Sequence, residues 1–152
     1  MTSRFKLHRE DIPEKLYRVH YPDSTTTYDK EDGFLAAYQI DPKDLAPTPG
    51  ALLAYVERLR KGSSDFSGRY ITTFGSKTHA LRWARKLQRD HQYPKDSVQV
   101  MTIRPMKYKR TPWVASVAAI LGDQGHGLEY SADEYLFFRK IARNLIVATE
   151  DI

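Results

Sequence analysis

The residues best suited to chemistry in this chain are Arg18, the pair Thr72-Thr73, and Glu134. Arg18 lies in the middle of Lys15–Tyr21 (KLYRVHY), a run rich in β-branched and aromatic residues that reads as a strand closed by Pro22. In an extended segment Leu16, Arg18 and His20 share one face, and Tyr17, Val19 and Tyr21 share the other. A guanidinium there either points into water from an edge strand or meets an anionic partner, because burying an unpaired charge is strongly unfavourable. Tyr70-Ile71-Thr72-Thr73-Phe74 puts adjacent hydroxyls on a second strand, where they can orient a carboxylate. Threonine also suits strands on propensity alone. Glu134 opens an apolar segment (EYLFFRKI) just after a glycine-containing loop, and shares a face with Leu136 and Phe138. It is either the last solvated residue of the loop or a functional acid in a cleft.

Other chemistries lack their motifs. There is no cysteine, which removes a disulfide scaffold, a thiol nucleophile and a cysteine zinc site, and suits a reducing compartment. Gly122, Gly125 and Gly127 follow a helical segment, whereas phosphate-binding glycine loops follow a strand. His8, His20, His79, His91 and His126 make no helical i, i+4 pairing with a second ligand, so no metal is expected. The serine-nucleophile pattern G-x-S-x-G is absent. The longest apolar stretch, Trp113 to Leu121, is too short to cross a bilayer, and Met1 to Glu10 holds no apolar signal core. A soluble protein with a cytoplasmic site of action and no membrane partner is the expectation, compatible with secretion after signal removal or with translocation.

These residues need a scaffold. The chain of 152 residues, 41% hydrophobic and 28% charged, fits one domain over 1–152 with a flexible N-terminal segment over 1–14. Its formal charge of +5 concentrates in Arg82 to Arg89 and Arg104 to Arg110. Each cluster suits acidic partners, though either also reads as a solvated face. Beyond Lys15–Tyr21, strands are predicted at Arg69–Phe74, Val98–Ile103, Glu134–Ile141 and Leu145–Ala148. One helix starts at Thr48-Pro49 and ends at Gly62, with Leu52, Tyr55, Val56 and Leu59 inward. A second is capped by Ser76 and buries Ala80, Trp83, Ala84 and Leu87. A third, short helix starts at Thr111-Pro112 and runs to Leu121. Asp23–Asp32 reads as a polar turn, Asp41–Gly50 as a proline-bearing loop and Gly122–Gly127 as a flexible loop. The class is α+β with antiparallel strands.

Taken in order, Leu16-Tyr17-Arg18, Gly33-Phe34-Leu35-Ala36-Ala37, Arg69–Phe74 with Ser76 and the helix after it, and Ser131–Ile141 with Asn144-Leu145-Ile146 form one pattern. The pattern resembles the pertussis-toxin and pierisin-like branch of mono-ADP-ribosyltransferases, whose site is an Arg, a Ser-Thr-Ser strand and a Glu. The resemblance runs from Leu16 to Val147, and Ser131–Ile141 is its most specific part. It implies a split β-sandwich with flanking helices and an NAD+ cleft between two small antiparallel sheets.

The resemblance also implies roles. Glu134 would hold the ribose 2′-hydroxyl and stabilise the positive charge that develops as the nicotinamide–ribose bond breaks. Arg18 would pair with diphosphate or ribose oxygens, and Thr72 would orient Glu134, with Thr73 as its understudy. His20 would touch the adenylate ribose or phosphate, and Tyr70 or Phe74 would stack on nicotinamide. Catalytic positions are therefore Glu134, Arg18 and Thr72; NAD+ contacts are Arg18, His20, Tyr70, Thr72, Thr73 and Phe74; there is no metal. Two departures stand out. Phe74 replaces the last hydroxyl of the Ser-Thr-Ser strand, and Ala132 occupies the place where arginine-modifying members carry Glu or Gln. The implied activity is NAD+-dependent mono-ADP-ribosyl transfer by a monomeric toxin- or effector-like enzyme to a protein or nucleic-acid acceptor, or NAD+ hydrolysis. The alternative is a catalytically inactive fold of this type used as a basic nucleic-acid- or protein-binding module.

Overall fold

The computed structural model describes residues 5–24, 26–36, 70–121 and 133–152. Nine strands follow in chain order: β1 (Leu16–His20), β2 (Thr27–Asp29), β3 (Gly33–Leu35), β4 (Tyr70–Phe74), β5 (Gln99–Ile103), β6 (Val114–Ser116), β7 (Glu134–Phe138), β8 (Lys140–Ile141) and β9 (Ile146–Asp151). Among the described residues two α-helices accompany them, α1 (Lys77–His91) and the short α2 (Val117–Leu121). The strands form a six-stranded sheet in the order β6-β7-β4-β1-β5-β9 and a three-stranded sheet in the order β2-β3-β8. Every pairing is antiparallel, so the α+β class expected from the sequence holds.

Alternation along the strands divides the apolar residues between two faces. One face of the large sheet, with Leu16, Ile71, Met101, Ile103, Val114 and Phe137, packs with Phe34 and Ile141 of the small sheet. The other face carries two separate clusters. Val19 and Val100 lie under Ala80, Ala84 and Leu87 of α1, while Tyr70, Ala115 and Leu136 lie under Val117 and Ile120 of α2. Helix α1 begins as its sequence suggests, with the Ser76 hydroxyl accepting the His79 backbone N–H at 3.2 Å. Its expected stripe is corrected at one position. Trp83 is 40% exposed and lies beneath the Lys86 ammonium, so the buried stripe is Ala80, Ala84 and Leu87.

Tertiary pairing overrides local preference in four other places. The helix expected from Thr111 starts only at Val117, because Val114 and Ala115 join the sheet opposite Phe137 and Leu136 and are fully buried. The polar stretch 23–32 contains β2, which pairs with β3 as a hairpin whose turn is held by Asp29 Oδ1 accepting the Glu31 N–H at 2.6 Å. The strand expected over Glu134–Ile141 is broken at Arg139, whose φ of +70° lets the chain leave the large sheet as β7 and enter the small one as β8. The flexible segment expected over 1–14 is tied down across 5–12. Lys6 bridges Ala115, Ile12 is buried, and the Arg9 guanidinium donates to the carbonyls of Met106, Tyr108 and Lys109 at 3.0–3.2 Å.

The helix expected over 48–62, the loop Gly122–Gly127, and Ala37, Ser131 and Ala132 lie outside the described residues. Among the described residues no helix is long and apolar enough to cross a membrane.

Candidate functional site

Strand β4 organises the site, because β1 and β7 are its two neighbours. Its ladder with β7 is regular, with Thr72 opposite Leu136 and Phe74 opposite Glu134. Its ladder with β1 is a single register pair, Tyr17 opposite Phe74. At this gap Arg18 takes over the pairing. Its Nη1 donates to the Thr72 carbonyl at 3.0 Å and to the Thr72 hydroxyl at 2.9 Å. Its Nη2 donates to the Ser24 hydroxyl at 2.8 Å, in the turn that follows β1. The side chain is only 7% exposed, so Arg18 is no edge residue pointing into water. The Phe34 ring of the small sheet has its centroid 5.9 Å from the guanidinium carbon, within reach of a cation–π contact.

His20 is two residues along the same face. Its ring meets Tyr28 and Phe34 at centroid distances of 5.8 and 5.7 Å. Its Nδ1 is buried with no hydrogen-bond partner among the described residues. Burial, and then the Arg18 charge, lower its pKa below the usual imidazole value, which favours the neutral ring.

Glu134 begins β7 and, by register, shares a face with Phe74, Thr72 and Leu136. That places it between the cluster under α1 and the cluster under α2. Burial pushes its carboxyl up to about 7, with the neighbouring Asp133 charge adding to the effect. An acid tuned near neutrality can hold or release a proton at working pH, as general acid–base sites require. Thr72 belongs to β4, the strand between those that carry the arginine and the glutamate. Its hydroxyl accepts from Arg18, and among the described residues no hydrogen bond joins it to Glu134.

The remaining expected contacts fall elsewhere. Thr73 is fully buried on the opposite face and donates its hydroxyl to the Tyr135 carbonyl at 3.0 Å, so that group already serves the core. Tyr70 is buried among Trp113 and Phe138, at centroid distances of 6.3 and 5.6 Å. Phe74 packs against the His79 ring at 4.5 Å. By register Thr72, Phe74 and Glu134 lie on the helix-covered face of the large sheet and Arg18 and His20 on the face packed with the small sheet, the two sets meeting at the Arg18–Thr72 contact, while Thr73 and Tyr70 are core residues.

Sequence reasoning passed over two partners. Ser24 sits in a stretch read only as a polar turn, and its role depends on where β1 ends. Asp133 precedes Glu134 and accepts from the Ser76 backbone N–H at 3.1 Å and from His79 Nδ1 at 2.9 Å. Nothing local marked it, since its partners are 57 and 54 residues away.

Residues 11–152 match the model of a domain of unknown function, DUF7587. The chain belongs to the DUF7587 family. No curated protein matches it by sequence. Among solved structures it is similar to EcPltA, a pertussis-like ADP-ribosyltransferase toxin, with a TM-score of 0.51 and 13% identity over 93% of this chain and 77% of that one. The fold of this DUF7587 member is accordingly similar to that of this ADP-ribosyltransferase toxin, with two antiparallel sheets among the described residues.

Proposed function

We propose that the protein is an NAD+-dependent mono-ADP-ribosyltransferase. One observation carries the reading. On a fold like that of EcPltA, a buried arginine and a partly buried glutamate with its carboxyl near 7 come from the two strands that flank β4, and Thr72 of β4 accepts from that arginine.

What is present suits a dinucleotide substrate. Arg18, held by Thr72 and Ser24, supplies a fixed positive charge toward which diphosphate or ribose oxygens would be drawn. His20 Nδ1 is a buried polar atom with no hydrogen-bond partner among the described residues, as a ribose hydroxyl or phosphate oxygen would supply. NAD+ is the substrate, and breaking its nicotinamide–ribose bond builds positive charge on the ribose, as glycoside cleavage does. In its ionised form Glu134 would hold the 2′-hydroxyl and stabilise that charge, in a site dry enough for the interaction to be strong. The ribosyl group then passes to a protein or nucleic-acid acceptor, or to water. The same likeness supports a toxin or effector role.

The test is nicotinamide release from NAD+ by the wild-type protein and by Glu134→Ala, with and without an acceptor-rich lysate. Release by the wild type alone supports the enzyme, and dependence on lysate separates transfer from hydrolysis. A wild type that neither binds nor consumes NAD+ ends the proposal.

A second reading rests on the outer face of α1, where Arg82, Arg85, Lys86 and Arg89 are exposed along one helix. It is a catalytically inactive, basic nucleic-acid-binding module. Its affinity for a DNA or RNA duplex would fall steeply with salt, and Glu134→Ala would leave it unchanged.

A further inference from the structure

Glu134 is the first residue of β7, where a strand end would ordinarily fray and let a side chain wander. Here the residue before it is fixed from three directions. The Asp133 carbonyl accepts the Gly75 N–H at 2.8 Å. The Asp133 carboxylate accepts the Ser76 N–H at 3.1 Å, at the N-terminus of α1, and also contacts His79 Nδ1 at 2.9 Å. Gly75 leaves room for this approach. A Cβ there would lie 2.6 Å from Asp133 Oδ1 and 3.1 Å from Tyr135 Cε1.

The residue opposite Glu134 is held by the same imidazole. Phe74 is the cross-strand partner of Glu134, and the His79 ring packs on it at 4.5 Å. His79 is therefore in contact with both the sequence neighbour and the strand partner of Glu134. It does so from the first turn of a helix whose own cap, the Ser76 hydroxyl, receives the His79 N–H. His79 and Asp133 are 13% and 31% exposed at their side chains, so the contact is screened less than a surface pair.

We propose that His79 and Asp133 are positioning residues for Glu134, tying the start of β7 to the N-terminus of α1 so that the carboxyl keeps one placement beside Phe74 and Thr72. The proposal rests on the reading of Glu134 as the catalytic carboxylate. His79 need touch no substrate. Its Nδ1–H donates to the Asp133 carboxylate, and its ring fixes Phe74. A small displacement of a catalytic group costs rate far more than it costs binding.

The experiment compares His79→Leu, which removes the donor, with His79→Asn, whose side-chain amide N–H occupies the place of Nδ1–H. His79→Leu is expected to lower the kcat of nicotinamide release roughly 10- to 100-fold with KM for NAD+ unchanged, and His79→Asn to recover most of it. Should His79→Leu fail to fold, Asp133→Asn, which keeps the volume and one acceptor oxygen, takes its place with a smaller loss of the same kind. A second readout needs no NAD+: the 13C resonance of the Glu134 carboxyl, identified by its absence in Glu134→Gln. It should move in His79→Leu and return in His79→Asn. A wild type without NAD+ turnover would refute the enzymatic reading alone, and the resonance would then decide the placement. Wild-type kcat in His79→Leu, equal losses in Leu and Asn variants, or an unmoved resonance would each overturn the proposal.

Discussion

Replacing Glu134 by Gln should make the protein more stable and less active, and the gain should depend on pH. In the folded protein the carboxyl titrates at about 7 instead of 4.5, because burial and Asp133 oppose its charge. The folded state therefore binds a proton that the unfolded chain has already released, and stability falls as pH rises from about 4.5 to about 7. The full shift corresponds to roughly 3 kcal/mol. Partial exposure lets solvent screen some of this, leaving an expected difference of about 1–2 kcal/mol. Glutamine keeps the shape and never ionises, so it avoids the penalty. The assay is urea unfolding of wild type and Glu134→Gln at pH 5 and pH 8. The midpoints should nearly coincide at pH 5, and the variant should be the more stable at pH 8, by roughly 3–8 °C if followed as Tm. Nicotinamide release should be lost at both pH values. A stability difference that is the same at both pH values, or a variant less stable at pH 8, would refute the argument that Glu134 is held against its own charge.

Other expectations follow from the same geometry. Wild-type nicotinamide release should rise with pH through about 7 as Glu134 ionises, and a flat profile from pH 5 to 8 would remove Glu134 from the ionised role. Arg18→Met leaves the Thr72 carbonyl and hydroxyl and the Ser24 hydroxyl without their donor, and should cost about 1–3 kcal/mol in chemical denaturation and abolish NAD+ binding in calorimetry. Arg18→Lys should restore stability in part and binding hardly at all, because an ammonium cannot supply the fork. Gly75→Ala should lower kcat and stability together, since the added methyl meets the Asp133 carboxylate; an unaffected variant would show that strand end to be loose.

The sequence made the centre of the fold legible and its margins less so. Leu16–His20, Tyr70–Phe74 and Gln99–Ile103 lie in the middle of the large sheet, where β-branched and aromatic residues and burial agree, and they were readable within a residue or two. Helix α1 was readable from its Ser76 cap and its small inward residues. Val114–Ser116 was not, because Val and Ala fit a helix as well as an edge strand, and only β7 decides between them. The break at Arg139 was hidden as well, since an arginine with positive φ carries no mark in the sequence. At the site, Arg18 and Glu134 stood out as charges in apolar strands, and the order of motifs along the chain, through the family resemblance, gave them roles. Thr72 was expected to meet Glu134, and among the described residues its hydroxyl meets Arg18. Thr72 and Thr73 are adjacent and alike, and only the register of β4 sends one to the guanidinium and the other to the core. Ser24 and Asp133 are joined to the site by loop paths that no local pattern encodes.

The lone rung between β1 and β4 also bears on how the molecule comes apart. A continuous sheet shares strain along every ladder, but here the backbone ladder between β6-β7-β4 and β1-β5-β9 is one register pair, supplemented by the Arg18 side chain and by the core under the small sheet. That boundary is a fault line, bridged from above by α1 through Val19, Val100 and Phe74. Partial opening should start there and leave two intact half-sheets, with amides beside Thr72 exchanging before those of β5 and β7. Anything anionic that settles on Arg18 would then act as a rivet across the fault, and occupancy would be felt as stiffness on both sides of it.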